Sequence, residues 1–123
     1  MTDQEIEKEI QAKGLTAAPR ITPADVEANI ASEHYFTAAQ GRYAATGANV
    51  ETGDPLSLLT FCVLVLKNGF RVTGENACVS PENFDPELGR KLARQKAIDK
   101  VWELMGYALK EQLANAAAEQ NQN

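Results

Sequence analysis

The sequence has few residues of the types that build metal sites and disulfide frameworks. Its 123 residues include two cysteines, Cys62 and Cys78, and one histidine, His34. A protein metal site needs more ligands than these three offer at suitable spacing, so we expect no metal. The two thiols could meet in the strand region, but their apolar neighbours and a reducing compartment favour buried free cysteines.

Long hydrophobic segments are also missing. No stretch approaches the roughly 20 apolar residues that a transmembrane helix needs. The amino terminus, MTDQEIEKEI, is acidic and lacks the basic and apolar regions of a signal peptide. We therefore expect a cytoplasmic protein with no membrane partner.

The chain lacks the motifs of common enzyme chemistry. It has no glycine-rich phosphate loop of the P-loop type, no paired-histidine helix motif, and no serine or cysteine beside a credible base. Cys62 falls in an apolar strand, where a thiolate is costly. His34 has no partnered nucleophile, so a structural or solvated role is the better interpretation. The sequence predicts a protein that is not an enzyme and has no cofactor.

Basic residues are in the minority, but they cluster. The formal net charge is −5, yet the segment 90–100 holds five basic residues and one acid, a local charge of +4 that leaves −9 elsewhere. A compact cationic segment on an acidic body favours a small anion over nucleic acid, because the flanking phosphates of a polyanion would be repelled.

A β-hairpin is the most sharply specified element. Thr60 to Leu66 is an apolar run rich in β-branched and aromatic residues, and Phe70 to Glu75 alternates apolar and polar residues. Asn68-Gly69 between them is typical of a two-residue type I′ turn. This turn predicts that Leu66 pairs with Arg71 and Val65 with Val72.

The predicted pairing makes the first strand apolar on both faces. A solvated ribbon needs only one apolar face, and an isolated hairpin is barely stable. The long helix described next can cover one face, and a second copy of the chain is the natural cover for the other. The predicted faces are Phe61, Val63, Val65, Phe70 and Val72 on one side, and Cys62, Leu64, Leu66, Arg71, Thr73 and Glu75 on the other.

Two helix starts are visible. Thr22-Pro23 predicts a capped short helix that runs to about His34. Asp85-Pro86 predicts the start of a long helix whose apolar residues recur at helical spacing to about Leu113. Gly89 and Gly106 lie inside it, and each costs up to about 1 kcal/mol relative to alanine, so we expect close approach by a backbone or a ligand there.

The predicted fold class is α+β: a short N-terminal helix, a β-hairpin, and a long C-terminal helix packed on the hairpin, completed by homo-oligomerisation. The segment 38–55 has three glycines and no helix or strand period, which indicates a mobile loop. The predicted organisation is a flexible or weakly helical arm at 1–20, a single domain at 21–115, and a disordered tail at 116–123.

Residues suited to an anion gather near the long helix start. Arg90 and Arg94 are one helical turn apart, and Asn83 and Phe84 precede them. Cations, an amide and an aromatic ring are what a nucleotide site needs. The alternative is that Phe84 packs as a staple, Asn83 forms a turn and the basic run is a solvated face. Arg71 and Thr73 of the second strand complete the candidate set.

Several segments resemble a known family. NGFRVTG, ACVSPENFD, GRKLA and KVWELMGY, within residues 21–113, resemble the small phage "gene forty-nine" protein family, to which the first type of Thoeris anti-defence protein is related. The anti-defence proteins act as sponges that bind cyclic ADP-ribose isomers and related cyclic nucleotides without cleaving them. They form dimers that assemble into hexamers.

The resemblance implies a phage-encoded homo-oligomer that sequesters a small cyclic nucleotide in the host cytoplasm. Glu75-Asn76 and Met105-Gly106 depart from the commoner Glu-Ser and Glu-Gly of the family, which puts the ligand in doubt. The alternative is an accessory protein that binds a host protein through the hairpin or segment 38–55. The candidate ligand-binding residues, with Phe70 added on the resemblance, are Phe70, Arg71, Thr73, Asn83, Phe84, Arg90 and Arg94.

Overall fold

A computed structural model describes residues 2–121, which divide into two compact units. The first consists of residues 2–29 and 101–121, and the second of residues 30–100. This division differs from the predicted single domain at 21–115, since the amino-terminal segment groups with the end of the chain. Within residues 2–121, no helix is both long and apolar enough to cross a membrane.

The first unit is helical. Helix α1 spans Asp3–Ala12, and helix α2 spans Pro23–Ala28. Each begins with a capping box, in which a threonine hydroxyl and an acidic side chain satisfy free backbone amides. The Trp102 indole donates a hydrogen bond to Asp3 over 3.1 Å. The arm at 1–20 therefore contains a capped helix tied by a side-chain contact.

Helix α2 ends earlier than the sequence predicts. The helix expected to reach His34 stops at Ala28, and strand β1, Ile30–Thr37, follows. Asn29 caps the helix, and the next residues are rich in β-branched and aromatic side chains that suit a strand. Because the apolar neighbour strand offers a ladder of hydrogen bonds, sheet pairing overrides the helix that the sequence predicted to continue to His34.

The second unit contains a three-stranded antiparallel sheet in the order β1-β2-β3. Strand β2 spans Leu59–Leu66, and strand β3 spans Arg71–Ala77. Strand β1, absent from the sequence prediction, pairs with β2 so that Tyr35 lies opposite Cys62. The predicted hairpin of β2 and β3 is present, but its register is not the predicted one.

The hairpin turn explains the register. Asn68 does not have a positive φ, whereas Gly69 has a φ of 88°, so the turn is not type I′. Leu66 instead pairs with Phe70, whose carbonyl accepts from the Leu66 amide over 2.8 Å, leaving a three-residue loop. The predicted pairs of Leu66 with Arg71 and Val65 with Val72 are therefore wrong by one residue.

A one-residue shift moves the side chains of a strand to the other face. The helix face, which packs against the long helix, carries Glu33, Tyr35, Thr37, Thr60, Cys62, Leu64, Val72 and Gly74. The open face carries Ser32, His34, Phe36, Phe61, Val63, Val65, Arg71, Thr73 and Glu75. Strand β2 is apolar on both faces, as predicted, but Arg71, Thr73 and Glu75 lie beside Val65, Val63 and Phe61 rather than beside Cys62.

Helix α3, Ala38–Thr46, occupies the first half of the predicted loop at 38–55. Thr37 and Gln40 form its capping box, and Gly47 ends it with a φ of 74°. Residues 55–58 form a 3₁₀ turn before β2. The loop prediction is therefore wrong for 38–46, because four alanines and a capping box outweigh one internal glycine. The mobility of the rest stays a prediction.

Helix α4 spans Pro86–Asn121 and contributes to both units. Its predicted start is confirmed: Asp85 Oδ1 accepts from the amides of Glu87 and Leu88 over 3.0 and 3.3 Å. The helix continues past Leu113 through an alanine-rich segment of high helix propensity. The predicted disordered tail is thus helical over 116–121, and residues 122–123 lie outside the described residues.

The helix and the sheet meet at Gly74. A Cβ atom added there would lie 2.1 Å from the Ala93 carbonyl oxygen and 2.5 Å from the Ala97 amide nitrogen. Ala93 and Ala97 are fully buried, so two small helix residues and one glycine allow backbone-to-backbone contact. The expected close approach at Gly106 is not seen among the described residues, since no heavy atom apart from the neighbouring backbone of α4 lies within 4 Å of the corresponding position.

Candidate ligand-binding site

A cavity of about 320 Å³ lies at one end of the sheet beside the start of α4, where side chains of the helix face meet the ring of Phe36 from the open face. Its position follows from the register, which places Thr37 opposite Thr60 at the end of the sheet that Gly89 covers. The lining residues are Tyr35, Phe36, Thr37, Gln40, Thr60, Phe84, Pro86 and Arg90. Aromatic rings, three hydroxyls, an amide and one cation therefore converge on one cavity within the second unit.

Thr60 is the most unusual residue of the cavity. Its side chain is only 3% exposed, and its hydroxyl oxygen has no hydrogen-bond partner within the described part of the chain. A buried hydroxyl without a partner costs free energy. Gly89 makes room for it, because a Cβ at that position would lie 3.1 Å from the hydroxyl oxygen. A close approach at Gly89 is present, but side chains make it rather than the predicted backbone or ligand, and it admits a polar group that lines the cavity.

Arg90 supplies the positive charge. Its side chain is exposed and makes no hydrogen bond or ion pair with any residue from 2 to 121. The amides of the first helical turn are less available, because Asp85 accepts from two of them. The capacity for an anion at this end of α4 thus rests on the guanidinium rather than on the helix terminus.

Aromatic side chains form the walls. Phe36 is 39% exposed and stacks on Phe61, with ring centroids 5.5 Å apart. Phe84 follows a 3₁₀ turn at Pro81–Asn83 and approaches Gly89, whose added Cβ would lie 3.6 Å from its ring. Aromatic rings next to a cation suit a flat, anionic ligand.

A hydrogen-bonded network holds Tyr35 at the edge of this cavity. The Tyr35 hydroxyl donates to Glu33 over 2.7 Å, and Arg94 Nε donates to the same carboxylate oxygen over 2.7 Å. Arg94 lowers the pKa of Glu33, whereas burial and the bond to Glu33 raise the pKa of Tyr35. Burial also raises the pKa of the neighbouring Cys62 thiol. At neutral pH the network is a carboxylate, a guanidinium and a neutral phenol.

The structure brings two of the predicted site residues together and places the other five elsewhere. Phe84 and Arg90 line the cavity. Arg94 pairs with Glu33, and Asn83 is exposed in its 3₁₀ turn. The rest belong to the hairpin: Phe70 is 52% exposed, Arg71 Nη1 donates to the Gly69 carbonyl of its own turn, and Thr73 lies on the open face.

Sequence reasoning missed six lining residues: Tyr35, Phe36, Thr37, Gln40, Thr60 and Pro86. One signal could have found two of them, since the spacing Thr37-x-x-Gln40 is that of a capping box and marks a helix start. Thr60 carries no such signal, because its orphaned hydroxyl arises only when β1 and α4 close around it. Within residues 2–121 no cluster of three potential metal-ligating side chains occurs, and both cysteines are free thiols.

The fold and the cavity together define a small α+β protein with a sheet covered by a helix on one face. The chain belongs to the phage protein family described as N4 Gp49/phage Sf6 gene 66, whose family model matches residues 21–113. This match confirms the resemblance to the phage family, while the relation to Thoeris anti-defence proteins stays a prediction. No curated protein and no solved structure was found to match.

Proposed function

We propose that this phage protein is a non-catalytic binder that sequesters a cyclic nucleotide immune signal, such as a cyclic ADP-ribose isomer, in the cytoplasm of the host. The observation that carries the proposal is the unpartnered Thr60 hydroxyl, buried in a cavity that Arg90 and Phe84 also line. The match to the phage family supports a phage protein, and the resemblance to anti-defence proteins suggests the class of ligand.

The cavity has the size and chemistry for part of such a ligand. Its volume of about 320 Å³ falls at the lower end of the range of about 300 to 1,000 Å³ that small-molecule sites occupy. Arg90 would pair with a phosphate, Phe84 would stack on a base, and Thr60 would donate to or accept from a base edge or ribose. None of these roles requires a catalytic group.

Sequestration requires affinity and no turnover. A binder removes its ligand in stoichiometric amounts when its concentration exceeds the dissociation constant. None of the lining side chains is a histidine, cysteine or carboxylate that could act as an acid, base or nucleophile. The cavity is therefore suited to holding a ligand unchanged.

Isothermal titration calorimetry against cyclic ADP-ribose isomers and cyclic dinucleotides tests the proposal. We expect at least one member to bind with a micromolar or tighter dissociation constant, and to be recovered intact after the protein is heat-denatured. Absence of binding across the panel would contradict the proposal and favour the accessory protein that binds a host protein. Recovery of a cleaved ligand would contradict the non-catalytic assignment.

We also propose that a second copy of the chain covers the open face, giving a homodimer or a larger symmetric oligomer such as a hexamer. Half-buried Val63 and Val65 and the exposed ring of Phe36 lie there. Arg71 and Glu75 flank Thr73 symmetrically along β3. A two-fold axis near Thr73 brings Arg71 of one protomer opposite the partner's Glu75 twice, so the face is complementary to itself.

Analytical ultracentrifugation of wild type and Val63→Asp tests this association. We expect the wild type to sediment as a dimer or larger species at micromolar concentration and the variant as a monomer, because a carboxylate on the covered face would lose its hydration. Val79→Asp is the matched control, since Val79 is 99% exposed and the same change there should leave the oligomer intact. A wild-type monomer, or equal behaviour of both variants, would refute the interface.

A further inference from the structure

Arg94 does not line the cavity, although it lies one helical turn beyond Arg90. Its guanidinium turns to strand β1, where Nε donates to Glu33 Oε1 over 2.7 Å and Nη2 to Oε2 over 3.4 Å. Both side chains are partly buried, which strengthens their attraction relative to a pair in bulk water.

Glu33 is hydrogen-bonded to a residue that lines the cavity. Its Oε1 atom accepts from the hydroxyl of Tyr35, and Tyr35 lines the cavity. A carboxylate one side chain away from a phosphate would repel it unless a cation neutralised the charge. The guanidinium of Arg94 donates to Glu33 Oε1, the same atom that accepts from the Tyr35 hydroxyl. Arg94 therefore both neutralises the charge of Glu33 and orients the carboxylate that holds Tyr35.

We infer that Arg94 is a positioning residue that makes the cavity accept an anion: it neutralises Glu33 and so holds the Tyr35 ring at the wall, without touching the ligand. This inference rests on the proposed function of the cavity. It differs from the assignment that the sequence suggested, in which Arg94 meets a phosphate directly. The two assignments predict opposite results when Glu33 is removed together with Arg94.

The test is a double-mutant cycle with inorganic pyrophosphate and cyclic ADP-ribose as probes, measured by calorimetry. Arg94→Gln should weaken binding of both probes by about tenfold, because Glu33 then presents an uncompensated charge. Adding Glu33→Gln should restore affinity to within about threefold of wild type, since a neutral amide can still accept from Tyr35. Glu33→Gln alone should bind as well as wild type or better.

Two results would overturn the inference. A double variant as weak as Arg94→Gln would mean that Arg94 contacts the anion itself, and an Arg94→Gln variant with unchanged affinity would mean that the pair has no effect on the site. Gln95→Ala is a control on the same helix, because Gln95 bonds Asp99 rather than Glu33. Circular dichroism and thermal melting verify that each variant is folded before titration.

A measurement without ligand separates this inference from the proposed function. In protein labelled with ¹³C-tyrosine, the NMR signals of the Tyr35 ring, assigned through Tyr35→Phe, should shift in Arg94→Gln and return towards wild type in the double variant. If the wild type binds neither probe, the proposed function fails, and this ring signal still tests the positioning role. Unchanged Tyr35 signals in Arg94→Gln would refute it.

Discussion

Gly74→Ala is expected to destabilise the protein by at least about 3 kcal/mol, or to prevent folding, because overpacking against a rigid backbone has no easy relief. The added methyl would lie 2.1 Å from the Ala93 carbonyl oxygen and 2.5 Å from the Ala97 amide nitrogen. Neither atom can move without breaking helix α4. Urea denaturation followed by circular dichroism gives the free energy of unfolding.

The control is the same substitution elsewhere in α4. Gly106→Ala adds a methyl that, among residues 2–121, meets no heavy atom within 4 Å apart from the neighbouring backbone of α4. It should therefore raise the free energy of unfolding by up to about 1 kcal/mol through helix propensity alone. A Gly74→Ala variant that stays within about 1 kcal/mol of wild type would contradict the helix-to-strand contact on which the whole second unit depends.

Arg90→Gln is expected to weaken cyclic ADP-ribose binding by about 10- to 100-fold with little change in stability. Arg90 makes no hydrogen bond or ion pair within residues 2–121, so its removal costs the fold little, whereas a charge-assisted bond to a phosphate is worth about 1.5 to 3 kcal/mol. Calorimetry and thermal melting measure the two effects separately.

Lys91→Gln is the matched control for charge. Lys91 is adjacent in sequence and 71% exposed, and it faces Glu87 at 3.4 Å rather than the cavity. It should therefore leave affinity within about threefold of wild type, since an exposed pair contributes little. Equal weakening by both substitutions would indicate a diffuse effect of net charge and would contradict a phosphate contact by Arg90.

The elements that the sequence predicted correctly are those with local causes. The caps at Thr22 and Asp85 depend on side chains that bond backbone amides within a few residues. The hairpin depends on Gly69 between two strand-forming runs. Each of these signals lies in a window of a few residues, so one sequence is sufficient to find it.

The errors at β1 and at the hairpin have different physical origins, one in pairing between distant segments and one in the conformation of a single turn. Strand β1 exists because β2 offers it a partner, and Ile30–Thr37 has no strong period of its own. The hairpin register depends on whether Asn68 and Gly69 both adopt a positive φ or Gly69 does so alone. In the structure only Gly69 does, and the Asn68 side chain accepts a hydrogen bond from the Phe70 amide. The loop is therefore one residue longer than predicted, and this difference determines which side chains of the hairpin face α4.

The candidate site divides in the same way. Composition and helical spacing identified Arg90 and Phe84 as suitable for an anion and a ring, and they line one cavity. The same spacing suggested Arg94, which the fold pairs with Glu33, 61 positions away in the chain. Helical periodicity predicts which residues share a side of a helix, but it does not predict whether a carboxylate from a distant segment packs against that side.

The amino-acid sequence by itself determined the α+β class, the capped starts of α2 and α4, a β2 strand apolar on both faces, and membership of the phage family. Only the tertiary structure decided the third strand, the register, and the convergence of Thr60 with Arg90. The reason is that caps and periodicity depend on residues close together in the chain, whereas a cavity forms only where segments far apart in the chain pack together.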